Sequence, residues 1–228
     1  MQSFNFTSLP SRVIFGEGSL TQVKNEIDLL GAKRALILCT PEQRALAEQV
    51  SNLLGESAVG IFDRAVMHVP IETAEEARRI ASQSGADCAV AVGGGSTTGL
   101  GKAIALVSSL PILAIPTTYA GSEMTPIYGI TEAGVKKTGR DIRVLPKTVI
   151  YDPLLTMGLP VGMSVTSGIN AIAHAAEGLY AHDGNPIMNL LAEEGIAALG
   201  RALPRIKNDP NHREARSDAL YEIGRAHV

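Results

Sequence analysis

The sequence lacks the features that membrane, secreted and redox proteins usually carry. It contains only two cysteines, Cys39 and Cys88, and each lies in an apolar run, so we expect two reduced, buried thiols rather than a disulfide or a redox pair. No uninterrupted apolar stretch approaches the ~20 residues of a membrane helix. The N-terminus also lacks a basic flank followed by an apolar signal core. Together these absences predict a cytoplasmic protein.

The chain also lacks a charge excess. Its formal net charge is −3, its pI is near 6.0, and its lysines and arginines are scattered. Nucleic-acid binding requires a concentrated basic face, so we expect no nucleic-acid partner. With 45% hydrophobic and 19% charged residues, the chain has enough apolar material for a core, which argues against disorder. Its 228 residues correspond to about one and a half domains of ~150 residues.

The first half of the chain alternates short β-branched runs with longer segments of helical period. This alternation is typical of βαβ units in a mostly parallel sheet. We therefore predict an α/β fold that begins with a doubly wound, mostly parallel, Rossmann-like sheet. The predicted strands are 12–15, 35–39, 58–62, 88–92 and 112–115, and the predicted helices are 19–30, 42–54, 73–84 and 98–107.

The character of the sequence changes after this alternation. Segment 129–140 has turn chemistry between two β-prone pieces, which predicts a hairpin, and 148–151 is predicted as a last strand. After Pro160 the sequence is Ala-rich, has helical period and shows no strand signal. We predict an α/β domain over 1–159 and the start of an all-helical domain over 160–221.

The strongest local feature is CAVAVGGGSTTGLGKAIAL, a buried strand that runs into three glycines, a serine and a helix. Glycines let a ligand approach the backbone, and a helix start favours an anion such as a pyrophosphate. A tight strand-to-helix turn is the alternative interpretation. The spacing matches neither GxGxxG nor GxxxxGK[ST], because Lys102 lies seven residues beyond Gly95. Its position after a central strand, where doubly wound sheets bind ligands, favours a phosphate site.

The next predicted strand runs into a hydroxyl-rich segment, ILAIPTTYAGSEMT. Because this segment follows the carboxyl end of its strand, its side chains could line the same crevice and bond a nucleotide. Hydroxyls in loops more often form turns, and that alternative stays open. The candidate residues are Thr117, Thr118, Ser122 and Thr125.

A third feature lies in the helical part of the chain. Asn170 and His174 are four residues apart in a predicted helix, so both side chains would lie on one face and could converge on a substrate or a metal. Glu177 could orient the imidazole of His174. A histidine packed in the core is the alternative.

Four segments, in this order and spacing, resemble the iron-containing (group III) alcohol dehydrogenase superfamily. They are GGGSTTGLGKAIAL, AIPTTYAGSEMTPIYGIT, LPKTVIYDP and SGINAIAHAAEGLYA, and the resemblance extends from about Phe4 to about Ile206. Within the superfamily, the chain is most similar to the maleylacetate reductase branch. The resemblance implies an N-terminal dinucleotide-binding α/β domain, a C-terminal helical domain, and a cleft between them for NAD(P)H and substrate.

The resemblance also implies roles for particular residues. By position, the phosphate-binding glycine loop of the family falls on Gly94, Gly95 and Ser96. Further nucleotide contacts are implied for Thr117, Thr118, Thr125 and Lys137.

Two positions depart from the family's nucleotide-binding pattern. Gly99 stands where the GGGSxxD pattern has Asp, and Thr40 stands where many members carry an Asp that holds the ribose hydroxyls. A carboxylate at the second position would repel a 2′-phosphate. Thr40 therefore predicts that NADPH is accepted alongside NADH.

The metal site of the family is also altered. Iron-type alcohol dehydrogenases bind a divalent ion with one Asp and three His, the first two forming an Asp-x-x-x-His pair, which here is Asn170 and His174. A neutral amide removes the anionic ligand that a hard cation prefers, so we expect no bound metal. This agrees with the maleylacetate reductase branch, which the resemblance implies works without metal. We assign Asn170 and His174 to substrate binding or carbonyl polarisation.

The resemblance therefore implies NAD(P)H-dependent reduction of the C=C bond of maleylacetate, a small dicarboxylate, to 3-oxoadipate in aromatic-compound breakdown. An activated C=C bond can accept hydride with only hydrogen-bond and cationic help at the developing enolate. For the full-length enzyme we expect a homodimer. Two alternatives remain. One is a metal-dependent alcohol dehydrogenase of the same superfamily, against which Asn170 argues. The other is a chain that binds nucleotide without catalysis.

The last seven residues, EIGRAHV (222–228), do not resemble the sequence with which members of the family continue at this point. The same string is the translation of a common sequencing-adapter oligonucleotide, so we expect a non-native tail beginning after Tyr221. A natural short terminus is the alternative. If the helical domain is cut short, its helices should expose apolar faces, and the chain should be less soluble and less stable than its composition suggests.

Overall fold

A six-stranded parallel sheet forms the centre of the N-terminal part of the protein. The computed structural model describes residues 4, 6, 9, 11–182 and 184–226, with side chains described through residue 222. The six strands of the sheet are β1 Arg12–Phe15, β2 Ala35–Leu38, β3 Ala58–Phe62, β4 Cys88–Gly93, β5 Ile112–Pro116 and β8 Thr148–Tyr151. They follow the order β1-β8-β5-β4-β2-β3, and every neighbouring pair runs parallel. The predicted α/β class with a doubly wound sheet is thus confirmed.

The composition of the strands explains their order in the sheet. Strands β2 (ALIL), β4 (CAVAVG), β5 (ILAIP) and β8 (TVIY) are buried along their whole length, as apolar strands covered on both faces must be. The edge strands β1 and β3 are partly exposed.

Helices alternate with these strands, at positions close to the predicted ones. They are α1 Val23–Leu29, α2 Arg44–Leu54, α3 Ile71–Gln83 and α4 Gly95–Ser108. The predicted segments 19–30 and 42–54 each begin with a short 3₁₀ turn before the α-helix. Helix α4 begins three residues earlier than the predicted 98–107, so the glycine run contributes to the helix itself.

The strand order creates a topological switch point between β2 and β4. The chain leaves β2 through α2 toward β3, and it leaves β4 through α4 toward β5, on the opposite side. In open α/β sheets, ligands bind in the crevice outside the carboxyl ends of the strands at such a point. Thr40 and Gly94 follow the two strands that flank it.

The predicted hairpin is present as a separate two-stranded antiparallel sheet. It consists of β6 Ile127–Glu132 and β7 Val135–Arg140. The sequence assigned turn chemistry to the whole of 129–140, whereas the structure confines the turn to Ala133 and Gly134. Both residues have positive φ, 48° and 76°, as a tight two-residue hairpin turn requires. Cross-strand pairing therefore continues almost to the turn.

The chain divides into two compact units. One contains the sheet and consists of Ser11–Thr117 and Ser122–Asp152, and the other consists of the described parts of Met1–Pro10, Thr118–Gly121 and Pro153–Val228. The second unit contains helices α5 Val161–Leu179, α6 Pro186–Asn208 and α7 Arg213–Ala226. The domain limits at 159 and 221 and the non-native tail over 222–228 remain predictions. The side chains of residues 223–226 and the whole of residues 227–228 lie outside the described residues.

The helices of the second unit pack against one another, and a glycine allows two of them to approach closely. Helix α6 packs against both α5 and α7. On α5, a Cβ atom added to Gly168 would lie 2.6 Å from Cδ2 of Leu203 on α6, so a larger residue at this position requires Leu203 to move. Within the part of the chain that is described, no helix has the length and apolarity required to cross a bilayer.

A buried arginine crosslinks this helical unit. Arg216 on α7 is fully buried and donates from Nη1 to Oγ of Ser164 at 2.7 Å and to the hydroxyl of Tyr119 at 3.4 Å. It also donates from Nη2 to the carbonyl of Leu159 and from Nε to the carbonyl of Pro210, each at 3.0 Å. One side chain therefore connects the start of α5, the start of α7 and the segment 118–121.

Helices α5 and α6 expose several large apolar side chains, as the sequence led us to expect. Exposed apolar side chains of this kind lower solubility when they form a patch. They include Met163, Ile169, Leu179, Ile187 and Leu190. The lower solubility and stability of the chain remain predictions.

Candidate functional site

The glycine run forms the strand-to-helix turn at the switch point. Strand β4 ends at Gly93, Gly94 occupies the N-cap position with extended backbone, and α4 begins at Gly95. Because the first N–H groups of a helix have no partner inside it, Gly95 and Ser96 place polar backbone hydrogens at this turn. The turn is therefore suited to bind an anion. Because α4 begins at Gly95 and not at the predicted residue 98, the structure supports the interpretation of the glycine run as a phosphate site.

Gly93 is required by the geometry of this turn. Its φ is +140°, and a Cβ atom there would lie 2.9 Å from Oγ1 of Thr97. The hydroxyl of Thr97 in turn donates to the carbonyl oxygen of Gly94 at 2.8 Å. Sequence reasoning missed Thr97, although a hydroxyl three residues after a cap position is a recognised local bonding pattern.

Hydrogen bonds join the end of β5 both to this turn and to the turn that follows β2. Thr117 donates its backbone N–H to the carbonyl of Gly93 at 3.1 Å. Its Oγ1 accepts from Nε2 of Gln43 at 3.3 Å. Gln43 belongs to the 3₁₀ turn that follows Thr40 at the end of β2. The structure thus brings the predicted Thr40, the glycine loop and Thr117 to adjacent strand ends, and it adds Gln43, which the sequence did not indicate.

The other predicted hydroxyl residues have different surroundings. Thr118 belongs to the helical unit and directly follows Thr117 in the chain. Oγ of Ser122 is buried and has no hydrogen-bond partner among the described residues. Oγ1 of Thr125 donates to the carbonyl of Ser122 at 3.2 Å. Ser122 and Thr125 are therefore part of a turn in this structure, and their role in nucleotide binding remains a prediction.

A buried lysine holds that turn. Lys102 on α4 is 1% exposed, and its Nζ donates to the carbonyls of Ser122 at 2.6 Å, Thr125 at 2.8 Å and Ile127 at 2.6 Å. Burial lowers the pKa of the Lys102 ammonium to about 8, and the negative charge of Glu123 opposes this shift. The side chain is therefore a cation at neutral pH. Sequence reasoning used Lys102 only to reject a P-loop and missed this contact.

Glu123 and Tyr151 complete the buried polar cluster. The Tyr151 hydroxyl donates to Oε1 of Glu123 at 2.8 Å, and both residues are buried. Burial raises the pKa of the Glu123 carboxyl, against the opposing effect of its hydrogen bonds and of Lys102. Burial also raises the pKa of Tyr151 well above its usual value. A polar cluster that is hydrogen-bonded in this way can fix the position of a loop.

Gly99 has a packing reason in this structure. A Cβ atom at Gly99 would lie 2.8 Å from Cγ2 of Val69, which is buried. Val69 itself has a positive φ of 46°. A larger side chain at Gly99 therefore requires Val69 to move, which is a physical reason for the departure from the GGGSxxD pattern.

Lys137 lies on the exposed hairpin. Its ammonium forms an ion pair with Glu132 on the neighbouring strand. The described contacts of Lys137 do not reach the glycine loop, and its role in nucleotide binding remains a prediction.

Asn170 and His174 both lie on α5, one helical turn apart, and both are exposed. The imidazole is not a core residue, because 49% of its side chain is accessible. Nδ1 of His174 lies 3.3 Å from Oε2 of Glu177, which is the pairing expected from the sequence. The helix thus presents an amide and an oriented imidazole on one accessible face.

These residues do not make up a metal site. Within the described ranges, no group of three or more His, Cys, Asp or Glu side chains is placed to hold a metal ion. Asn170 offers only a neutral amide, which binds hard cations weakly compared with a carboxylate. The absence of a bound metal remains a prediction that rests on Asn170.

The protein has a parallel doubly wound sheet with a glycine turn at its switch point, followed by a helical unit. This arrangement is typical of dinucleotide-binding proteins. Comparison with known families gives a more specific result. Residues 10–153 match the iron-containing alcohol dehydrogenase family, and residues 164–224 match the C-terminal part of the Fe-containing alcohol dehydrogenase family. The chain belongs to the iron-containing alcohol dehydrogenase family.

Several relatives are highly similar. The chain is 66% identical over 221 residues to maleylacetate reductase from Burkholderia cepacia, a match that covers 97% of this chain and 63% of that protein. The crystal structure of maleylacetate reductase from Rhizobium sp. strain MTP-10005 superposes with a TM-score of 0.97 at 52% identity, covering 100% of this chain and 65% of that one. The structure of maleylacetate reductase from Agrobacterium tumefaciens gives a TM-score of 0.97 at 51% identity, with 100% and 65% coverage. The chain thus spans less than two thirds of the length of these relatives.

Proposed function

We propose that this chain belongs to an NAD(P)H-dependent oxidoreductase that reduces the C=C bond of maleylacetate to 3-oxoadipate. The observation that carries the proposal is the glycine turn at the switch point, in a chain 66% identical over 221 residues to a maleylacetate reductase. The turn supports nucleotide binding, and the sequence identity to a maleylacetate reductase supports maleylacetate as the substrate. A small dicarboxylate is therefore the expected partner.

The proposed nucleotide site is built on the carboxyl ends of three strands. The N–H groups at the start of α4, on Gly95 and Ser96, would bind the pyrophosphate, with Gly94 leaving room for it. Thr117 would contribute a hydroxyl at the neighbouring strand end. When bound, the reduced nicotinamide supplies the hydride.

The choice between NADH and NADPH depends on the end of β2. Thr40 carries no charge to repel a 2′-phosphate, so we propose that both nucleotides bind. A carboxylate is nevertheless near, because a hydrogen bond from Thr40 lowers the pKa of the exposed Glu42. Glu42 would favour NADH when its side chain turns toward the ribose.

On the helical unit, Asn170 and His174 would act on the substrate. Their side chains would donate hydrogen bonds to the ketone oxygen of maleylacetate. Negative charge grows on that oxygen as the conjugated C=C bond accepts hydride at the carbon remote from the ketone. Glu177, 3.3 Å from Nδ1 of His174, would keep the imidazole oriented for this task. A proton then adds to the carbon next to the ketone and completes the reduction.

We propose that no metal takes part in the reaction, because Asn170 offers a neutral amide where the family's Asp-x-x-x-His pair has a carboxylate. A metal-dependent alcohol dehydrogenase is the alternative enzyme. The variant Asn170→Asp restores the carboxylate of the family's pair, and we expect it to bind Zn²⁺ at least about tenfold more tightly than the unmodified chain. Isothermal titration with Zn²⁺ checks this, with His174→Ala in the Asp background as the control that should lose the gain.

NADH fluorescence titration and NADH oxidation with maleylacetate test the proposed function. The proposed function is supported if NADH binding is saturable and if a chelator does not slow NADH oxidation. Loss of oxidation on chelation supports the metal-dependent alternative. NADH binding without NADH oxidation supports the other alternative, a chain that binds nucleotide without catalysis. His174→Ala should lower turnover, whereas His182→Ala, at an exposed histidine beyond α5, is the matched control. A homodimer and a cytoplasmic location also remain predictions.

A further inference from the structure

We infer that Lys102 is a positioning residue for the nucleotide. Its ammonium ties segment 122–127, which follows β5, to α4, the helix that carries the glycine loop. The inference rests on the proposed function, because it assigns Lys102 a role in NADH binding. Lys102 itself is buried, so we assign it no direct contact with the cofactor.

The side chain of Lys102 bonds the segment at several points. Lys102 lies seven residues after Gly95, so its Cα lies about two turns along α4 from the glycine loop. Its Nζ reaches three backbone carbonyls of the segment, at 2.6, 2.8 and 2.6 Å, and Oγ1 of Thr125 at 3.2 Å. These acceptors use all three protons of the ammonium.

The carbonyls bonded by Lys102 belong to a stretch with little regular structure of its own. Residues 122–127 contain a three-residue 3₁₀ turn, Ser122–Met124, followed by the first residue of β6. Within this turn Thr125 N–H donates to the carbonyl of Ser122 at 3.3 Å. The segment therefore depends on side-chain contacts for its shape, and Lys102 makes the most of them.

Charge balance holds the lysine in place. Glu123, from the same segment, attracts the ammonium, and Tyr151 on β8 donates to the Glu123 carboxyl at 2.8 Å. The segment is thus attached to α4 by Lys102 and to β8 by Glu123. A loop held in this way before binding saves the cost of ordering it when a ligand arrives. Loss of the ammonium should weaken NADH binding without removing any direct contact.

The test compares Lys102→Met with Arg78→Met in the 228-residue chain. Arg78 is a matched control, because it also donates to a backbone carbonyl of α4, that of Ala103 at 3.0 and 2.9 Å, yet it makes no described contact with segment 122–127. We expect the Kd for NADH to rise about tenfold in Lys102→Met and less than about twofold in Arg78→Met, both measured well below the melting temperature. Equal Kd values for Lys102→Met and the unmodified chain would overturn the inference.

A second variant keeps the test decisive if Lys102→Met does not fold. Lys102→Ala leaves a cavity that ethylammonium can enter. We expect the Kd for NADH to fall as ethylammonium is raised, while the same salt leaves the unmodified chain unchanged. A Kd that is independent of ethylammonium among folded molecules would show that Lys102 has only a structural role. Failure of the unmodified chain to bind NADH would instead refute the proposed function.

Discussion

Thr117 donates its backbone N–H to the carbonyl oxygen of Gly93 at 3.1 Å, which joins the end of β5 to the glycine turn at the end of β4. The register of the two strands leads directly to this bond, because Gly93 pairs with Pro116. Two segments that are separated in sequence therefore meet through the backbone alone. The position of the proposed nucleotide site follows from this junction and from the switch point beside it.

The first prediction concerns Gly93. Gly93→Ala places a Cβ atom 2.9 Å from Oγ1 of Thr97 at a φ of +140°, so we expect a loss of about 2 kcal/mol in the free energy of unfolding and weaker NADH binding. Urea denaturation and NADH titration measure these effects. Gly200→Ala, in an open position of α6, is the control and should stabilise the chain by about 0.5 kcal/mol. Equal stability of the two variants contradicts the prediction.

The second prediction concerns cofactor choice. Thr40→Asp places a carboxylate at the end of β2, where it should repel a 2′-phosphate and lower NADPH affinity relative to NADH at least about tenfold. Thr40→Asn, which is nearly isosteric with Asp and neutral, should leave the ratio of the two Kd values unchanged. Competitive titrations with the two nucleotides provide the measurement. A similar ratio in the Asp and Asn variants would place the 2′-position elsewhere.

The third prediction concerns Arg216. Arg216→Met leaves four acceptors without their donor, and three of these contacts are buried, so we expect the free energy of unfolding to fall by about 3 kcal/mol. Arg201→Met removes an exposed ion pair with Glu194 and should cost less than about 0.5 kcal/mol. Thermal denaturation followed by circular dichroism distinguishes the two. A small effect at Arg216 would mean that other contacts hold α7.

The fourth prediction concerns the thiols. Burial raises the pKa of Cys39 to about 11 and that of Cys88 to about 12, and nearby carboxylates add to both shifts. At pH 8 both thiols are therefore protonated and should not react with a disulfide reagent such as DTNB while the chain is folded. Reactivity should appear only as urea unfolds the protein. Rapid labelling of the folded chain at pH 8 would show that one thiol is accessible.

Much of the sheet was predictable, because its strands are short apolar runs separated by clear turn residues. Strands β1, β3 and β8 match their predicted limits, and the others differ by one residue at the carboxyl end. The start of α4 was less predictable. Glycine has low helix propensity, yet the turn at Gly94 and the packing of α4 on the sheet bring Gly95 and Ser96 into the helix.

Part of the site was also predictable. Thr40, the glycine loop and Thr117 follow strands, so their meeting at one edge follows from a parallel sheet. Gln43 and Lys102 were missed, because their importance depends on partners 74 and up to 25 residues away. The roles of Lys137, Asn170 and His174 remain predictions.

By itself, the sequence determined the class of the fold, the glycine turn and the amide in place of a carboxylate at Asn170. Those features are local, since periodicity and residue type act over a few neighbouring positions. Only the tertiary structure decided that Lys102 is a buried cation bonded to three carbonyls and that His174 is accessible rather than packed in the core. Burial and hydrogen-bond partners depend on which distant segments meet, and local sequence does not specify that.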